Sequence, residues 1–339
     1  MSRFRFTSGQ AATAALLVTL AVSVPLVAGF LGRMHPALDA FSHFRAHLAV
    51  LLAMASLLLL ATRQWLHAAA GLLLAIGAFS TTMGAPPWHP VARASATAIA
   101  EEGPRYRLLH LNLRYDHPDP RRLLSLIGRA RPDVVTLNES SPAWRRSLEA
   151  IRAAYPYRLD CPDTRSVGSV LILSRRPFLD PGSCGLHGRF GRVTVDFGGH
   201  PVEIASLHLL WPWPFSQPAQ IRELLPTLAA LGDQALLAGD FNAVEWSASV
   251  RRIEAAGGFT ARPRLGPTWL VRSAPDALRR WAGLPIDHVL AKPGVVLLDA
   301  RRLDGVGSDH LPVLVDFMPR RESAPARQTV AVAGLGGAR

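Results

Sequence analysis

Three uncharged apolar stretches in the first 85 residues constrain this chain more than anything that follows them. They are residues 11–32 (AATAALLVTLAVSVPLVAGFLG), 46–62 (AHLAVLLAMASLLLLAT) and 66–85 (LHAAAGLLLAIGAFSTTMGA). A helix needs roughly 20 apolar residues to span a bilayer, and about 17 still suffice. The pattern therefore predicts three transmembrane helices. A signal peptide would also account for the first stretch, since Arg3 and Arg5 precede it and small residues follow. A buried helical hairpin would account for the other two. Short connections and the lack of a polar face favour three spans, which put the termini on opposite sides. Arg3, Arg5 and Arg63 fall on one side, Arg33, Arg45 and Arg93 on the other. That count barely separates the two orientations; the reading adopted has the N-terminus inside.

Beyond residue 85 the chain changes character. Residues 86–104 are rich in Pro and Ala and read as a linker, 105–319 as one globular domain, and 320–339 as a disordered tail. Strand-like runs recur at 106–112, 133–138, 169–174, 192–197, 202–208, 234–240, 286–291 and 311–317. Helix-like runs lie at 120–130, 142–154 and 218–231. Runs such as VLIL and ALLA are apolar on both faces, as in strands buried under helices. The expectation is a layered α/β sandwich.

The formal net charge of +12 invites a nucleic-acid partner. Yet Lys292 is the only lysine, and the arginines are scattered singly or in pairs, which reads better as solvated surface. Nucleic acid stays the less favoured partner, and no obligate protein partner is inferred. Cys161 and Cys184 are too few for a disulfide framework and have no metal-site spacing. They are able to form one bridge if the domain faces an oxidising compartment.

Strand after strand ends on a polar group. Asn112 closes the first run, Glu139 follows the second, His208 closes VEIASLH, and Asp240 and Asn242 follow ALLAG. Asp287 opens DHVLA, and Asp309 and His310 precede LPVLVDF. Singly, each has a plain explanation as a turn residue or a satisfied polar group. Together they predict one edge where carboxylates, amides and imidazoles converge. In an extended backbone Asp240 and Asn242 would share one face. Phosphoester hydrolysis uses such a set. Mg²⁺ takes oxygen ligands, a carboxylate aligns and deprotonates water, and a carboxylate-oriented histidine acts as acid or electrostatic clamp.

The motifs LNLRY, VVTLNE, SLHLLWP, GDFN, PIDHVL and GSDHLPV resemble, in order, those of the endonuclease/exonuclease/phosphatase superfamily. The resemblance covers about residues 106–317. It implies a DNase I-like four-layer αββα sandwich, here preceded by three transmembrane helices, and an enzyme using Mg²⁺, with Mn²⁺ as the alternative. It implies that Asn112 and Glu139 hold the metal, and that Asp240 activates or positions water. Asn242 would orient water or phosphate, and His208 would contact phosphate. Asp287 would orient His310, and Asp309 would place a second metal or water. Two positions depart from the pattern. Asn138 stands where Gln is usual, a change expected to be tolerated. Arg114 stands where nuclease members often carry an acid, which adds positive charge for substrate binding.

The N-terminal helices add a second resemblance, to a bacterial group that includes the teicoplanin-resistance membrane phosphatases. That likeness implies work outside the cytoplasm on polyprenyl pyrophosphate carriers, hence a membrane lipid or lipid-borne phosphate as partner. Trp211, Trp213 and Phe215 alternate in HLLWPWPFSQP, directly after His208. In an extended loop they would share a face, suited to a membrane interface beside the site. Packing over the domain's own core, or stacking on nucleic acid, are the competing explanations.

Overall fold

A computed structural model describes residues 8–83, 103–116, 119–163, 167–260 and 264–320. The expected linker and tail fall almost entirely outside the described residues. The N-terminal region consists of α1 (Ser8–Ala28) with a 3₁₀ turn at Gly29–Leu31, α2 (Pro36–Ser42), α3 (Arg45–Ala61) and α4 (Trp65–Met83).

The expectation of three spans is met in part. Two helices are long and apolar enough to cross a membrane, Gly9–Leu31 and Trp65–Met83. The middle stretch forms a helix of 17 residues and counts as a third span only if joined to α2 across a 66° bend. The break falls at His43 and Phe44, where Phe44 (φ −101°, ψ 11°) leaves helical geometry and its N donates to Phe41 O. Pro36 begins α2, where its missing N–H costs nothing, and the His35 side chain caps that end by accepting from Ala37 N.

The helices touch through small residues. Ala49, Ala55, Ser56, Ala68, Gly71, Ala75 and Ala78 are buried, while Leu17, Leu58, Leu66 and Leu73 are exposed. A Cβ at Gly71 would run into Ser56 Oγ on α3. Close approach through small residues is how helices associate where apolar side chains gain nothing by hiding from solvent.

The rest of the described chain is a two-sheet α/β sandwich. The strands are β1 (Tyr106–Asn112), β2 (Val134–Asn138), β3 (Tyr157–Cys161), β4 (Val170–Ser174), β5 (Ser183–Gly185), β6 (Phe190–Asp196), β7 (Pro201–His208), β8 (Ala235–Asp240), β9 (Asp287–Ala291), β10 (Val295–Arg302) and β11 (Val313–Pro319). Sheet one runs β10-β11-β1-β2-β4-β3 and sheet two β5-β6-β7-β8-β9. Only the central pairs β1–β2 and β7–β8 are parallel among the described ladders. The intersheet core contains Leu108, Val134, Ile172, Ile204, Leu236 and Phe317. Helices α5 (Arg121–Ala130) and α6 (Pro142–Leu148) cover the outer face of sheet one. Helices α7 (Gln217–Ala229) and α8 (Ala248–Gly257) cover that of sheet two. A short α9 (Asp276–Ala282) precedes β9. Cys161 and Cys184 are disulfide-bonded, tying β3 to β5.

Eight expected strands occur within two residues of their predicted bounds. The unread strands β3, β5 and β10 alternate poorly because they lie at sheet edges. The unread α8 carries ordinary signals: Ser247 caps it by accepting from Val250 N, and Gly258 ends it in the left-handed region.

Candidate active site

The pleat explains why polar residues collect at one end. Alternate residues of each central strand face the opposite sheet. In β1 these are Leu108, His110 and Asn112, and in β2 Val134, Thr136 and Asn138, paired row by row. In β7 and β8 the rows are Ile204 with Leu236, Ser206 with Ala238, and His208 with Asp240. Antiparallel β9 adds Asp287 opposite Asp240. Strands β1, β2 and β7 thus pass from apolar core through a hydrogen-bonding row to a polar tip, and β8 ends on Asp240.

The tips form one network. Asn112 Nδ2 donates to Glu139 Oε1 (3.1 Å) and to Asp240 Oδ2 (2.9 Å), and its Oδ1 accepts from Arg114 N. Glu139 Oε2 accepts from Tyr115 N at 3.0 Å. Asp240 N donates to Asn138 Oδ1 (2.8 Å), and Asn138 Nδ2 reaches across the sheets to Ser206 Oγ. Arg114, Glu139 and Asn242 are all non-glycine residues with positive φ, at 56°, 56° and 45°. Such backbone is costly and persists where surrounding structure enforces it, often at functional sites. It also corrects the idea that Asp240 and Asn242 align through an extended backbone. The chain turns at Asn242, whose N–H donates to Asp240 Oδ1 while its Nδ2 donates to Leu209 O.

Two histidines flank Asp240 with opposite electrostatics. Nε2 of His310 lies 3.7 Å from Asp240 Oδ2, and its Nδ1 lies 2.8 Å from Asp287 Oδ2. Burial alone would lower the His310 pKa, but the Asp287 and Asp240 carboxylates outweigh it and raise it to about 10. Burial likewise pushes Asp287 up, and the charge of His310 with hydrogen bonds from His110 and His310 more than reverses this, holding it below the usual carboxylate range. His208 is pinned by a backbone carbonyl, with Nδ1 at 3.2 Å from Gly168 O. A carbonyl only accepts, so Nδ1 carries the proton. Burial lowers the His208 pKa to about 4, leaving it neutral, with Nε2 at 3.8 Å from both Glu139 and Asp240. Burial raises the Asp240 carboxyl, with His310 opposing and Asp287 reinforcing.

The tightest group of metal-type ligands among the described residues is Asp240, Asp287 and His310. It suits Mg²⁺ poorly: His310 is an imidazolium, and Asp287 already accepts from it and from His110 Nε2 at 3.3 Å. Glu139 is a better fit, an oxygen-only, half-buried carboxylate at the open side. Asp309 is also half-buried and lines the same cavity. Asn112 turns its NH₂, which is no metal ligand, towards the carboxylates.

A cavity of about 660 Å³ contains Arg114, Glu139, His208, Asp240, Asn242, Asp309 and His310. Trp211, Trp213 and Phe215 line its mouth and are 63%, 48% and 62% exposed. Their loop is a turn and not an extended segment, since Phe215 N donates to Pro212 O. Residues absent from the sequence reading include His110, which bridges Thr136 Oγ1 and Asp287, and Ser308, which accepts from His310 N and donates to Asn112 O. His110 stands two residues before Asn112 on the same strand face, a signal available in the sequence. Arg189, whose Nε lies 3.1 Å from Asp163 Oδ2, comes from a loop with no such signal.

Three of the similar solved structures show the likeness. D. rerio TDP2 has a TM-score of 0.51 at 20% identity, covering 63% of this chain and 99% of its own. An endonuclease/exonuclease/phosphatase from Beutenbergia cavernae DSM 12333 has 0.51 at 22%, covering 64% and 72%. An AP endonuclease from Archaeoglobus fulgidus has 0.50 at 16%, covering 62% and 98%. These identities establish the fold alone. No curated protein matches the chain. Residues 109–310 match the Endonuclease/Exonuclease/phosphatase family, from the first sheet-one strand through His310. The chain belongs to that family, whose members are metal-dependent hydrolases acting on phosphoester bonds.

Proposed function

We propose that this protein is a bilayer-anchored, Mg²⁺-dependent phosphoesterase that hydrolyses a phosphate ester or pyrophosphate carried by a lipid, outside the cytoplasm. The observation that carries the reading is the cavity. Its floor holds Glu139, Asp240 and His310, and its walls include Ala40 and Phe44 of the helical region together with Trp211 and Trp213. A charged head and an apolar tail would each meet a matching surface. Topology supports the placement. With three spans, α4 delivers the sandwich to the same side as the α1–α3 connection, and that connection touches the sandwich, with Asp39 accepting from Ala248 N and Ser42 O from Trp246 Nε1. The Cys161–Cys184 bridge suits an oxidising compartment.

In this reading Glu139 and Asp309 hold the metal, which when bound would polarise the phosphoryl oxygens. Asn112 holds Glu139 and Asp240 in register by donating to both. Asp240, with its raised pKa, positions a water and takes its proton. His310, kept cationic by Asp287, faces the charge that develops on phosphate. Arg114 binds the phosphate oxygens, His208 packs beside them with Nε2 as an acceptor, and Asn242 fixes Asp240.

The alternative is a nuclease. It is favoured by the +12 charge and by a similar structure, D. rerio TDP2, complexed with a single-strand DNA product. The test is full-length protein with Mg²⁺ on polyprenyl pyrophosphate, a phospholipid, an inositol phosphate and plasmid DNA. Lipid-phosphate turnover is expected to dominate. Cleavage of DNA alone would replace this reading, and no turnover with Mg²⁺ or Mn²⁺ would end it.

A further inference from the structure

A second cavity, of about 450 Å³, shares no lining residue with the first. Four arginines line it, Arg264, Arg280, Arg301 and Arg302, against one carboxylate, Asp304. Two of the four are offset from outside. Arg264 lies 3.6 Å from Glu245 Oε1, and Arg301 pairs with Asp299 and lies 3.6 Å from Asp316 Oδ2. Arg302 donates to a backbone carbonyl, Pro267 O, and the Arg280 guanidinium lies over the Trp281 ring, 5.3 Å from its centroid. Neither contact cancels a positive charge, and Asp304 balances at most one of the two. Like charges gathered in one cleft repel. A cleft that collects them from α9, from the end of β10 and from the segment at Arg264 is completed by an anion.

Two observations place this cleft towards the helical region. Arg301 and Arg302 end β10 and pair with Leu314 and Val313 at the start of β11, just after His310, so the cleft lies at the same end of the sandwich as the active site. In addition, α9 is held against α3, with His47 Nε2–H donating to Trp281 O at 3.1 Å. That contact leaves Leu278 and Trp281 57% and 70% exposed. An exposed Leu and Trp beside a basic cleft, on an element packed against the first turn of an apolar helix, suit a membrane–water interface. Anionic headgroups at that surface attract arginine. We propose that the cleft of Arg280 and Arg302 binds the headgroup phosphate of an anionic phospholipid, with Leu278 and Trp281 set in the acyl boundary beside it. This lipid is a docking ligand and no substrate, because Glu139, Asp240 and His310 lie in the other cavity. It seats the sandwich with its active-site end against the bilayer. The inference rests on the bilayer anchoring proposed above and not on the hydrolysis.

The test titrates full-length protein in detergent with dioctanoyl phosphatidylglycerol, dioctanoyl phosphatidylcholine, inorganic phosphate and a single-stranded DNA oligonucleotide, and reads the bound ligand by native mass spectrometry. Changing Arg280 and Arg302 together to Gln is expected to weaken phosphatidylglycerol binding about tenfold or more, the scale of a lost hydrogen bond to a charged group. Phosphatidylcholine binding should not change. Arg129→Gln with Arg222→Gln removes the same charge from exposed positions on α5 and α7 and is expected to leave phosphatidylglycerol binding as in wild type. Arg280→Gln alone gives up no backbone bond, and a several-fold loss in it supports the cleft even if Arg302→Gln lowers the thermal midpoint. Binding by the Arg280 and Arg302 double variant within about twofold of wild type, or an equal loss in both double variants, overturns the proposal. So does inorganic phosphate or the oligonucleotide binding the cleft as tightly as the lipid, which would make it a site for a free anion or for nucleic acid. Alkaline carbonate extraction of membranes tests the anchoring separately. Release of the wild-type protein sinks the anchoring reading, whereas retention without lipid discrimination sinks only the cleft.

Discussion

The helical region and the sandwich use apolar residues in opposite ways. In the sandwich the large residues are inside: Phe197, Phe241 and Phe317 are fully buried. In the helices Leu66 and Leu73 are 85% and 70% exposed, while Ala68 and Ala75 are buried. One set of residue types is arranged for water, the other as suits the apolar bilayer proposed above. Polar side chains divide the same way. In the sandwich they gather at strand tips and pair with one another; in the helices the few that are buried either bond within the helical region, as Arg45 does to Gly29 O and Thr81 Oγ1, or serve the junction, as Asp39 does. Chemistry therefore belongs to the sandwich, and the helices supply support and a wall. Four sets of substitutions test that division, taken from the largest expected effect.

Glu139→Gln strikes the sandwich's chemistry most directly. Removing the charge at the proposed metal ligand is expected to lower kcat/KM on the order of a thousandfold, from the several kcal/mol a metal supplies to the transition state, with little change in thermal midpoint. Asn138→Gln, one residue away, should do the reverse. Asn138 is fully buried between Asp240 N and Ser206 Oγ, so an extra methylene overpacks the site by about 1–3 kcal/mol. Activity and melting curves separate the two variants; equal activity losses would show that Glu139 holds no metal.

His310→Ala and Asp287→Asn come next, each expected to cost about a hundredfold or more and to be strongly non-additive because they act as one pair. A double variant showing the full product of the two losses would break the pair. The pH profile gives a sign. His310 has its pKa raised to about 10, so it stays charged at neutral pH and loses its proton only as pH rises through that value. Asp287→Asn removes the main charge holding the proton. The alkaline limb of kcat/KM should then move down, towards the ordinary histidine range near 6.5.

Much of this division is legible in the sequence, and the exceptions have physical causes. Asn112, His208, Asp240 and Asp287 are readable because a period of two and a change from apolar to polar mark a strand's end. Glu139 and Asn242 are readable as residue types but not as geometry, since nothing in VTLNES or GDFNAV states a positive φ. The start of α2 has its sign in Pro36, whereas the bend at His43 and Phe44 has none in the local pattern. The contacts of Asp39 with Ala248 and of Ser42 with Trp246 join positions about two hundred residues apart, and local pattern carries no such information. The same holds for Arg189, whose guanidinium packs over Gly168.

Gly71→Val tests the helical half of the comparison. The side chain would collide with Ser56 Oγ and approach Thr19, forcing α4 off α3 and α1. A cost of about 1–3 kcal/mol is expected, the range for overpacking, read as a lower thermal midpoint in detergent. Turnover of a soluble phosphoester at low temperature should stay within a few-fold of wild type. An equal collapse of that activity would mean that the sandwich depends on the helices for its fold as well as for its placement.

The smallest effect, and the one most specific to substrate, concerns the aromatic turn. Trp211, Trp213 and Phe215 are large apolar side chains of the sandwich left exposed around the cavity mouth, so they behave like residues of the helical region. Their exposure argues against a role in the sandwich core. His35, from the helical region, lies edge-on to Trp213 with ring centroids 6.5 Å apart, which sets the turn beside the α1–α2 connection. Tryptophan favours the membrane–water interface, where ring and N–H are both accommodated. Changing Trp211 and Trp213 together to Ser should lower turnover of a lipid phosphate in vesicles about five- to tenfold, since about 1 kcal/mol of lost interfacial contact corresponds to that factor. Bis(p-nitrophenyl) phosphate should be hydrolysed as before, at an unchanged thermal midpoint. A parallel fall of both activities and of stability would return the turn to the sandwich core. A fall confined to DNA cleavage would assign it to base stacking and favour the nuclease.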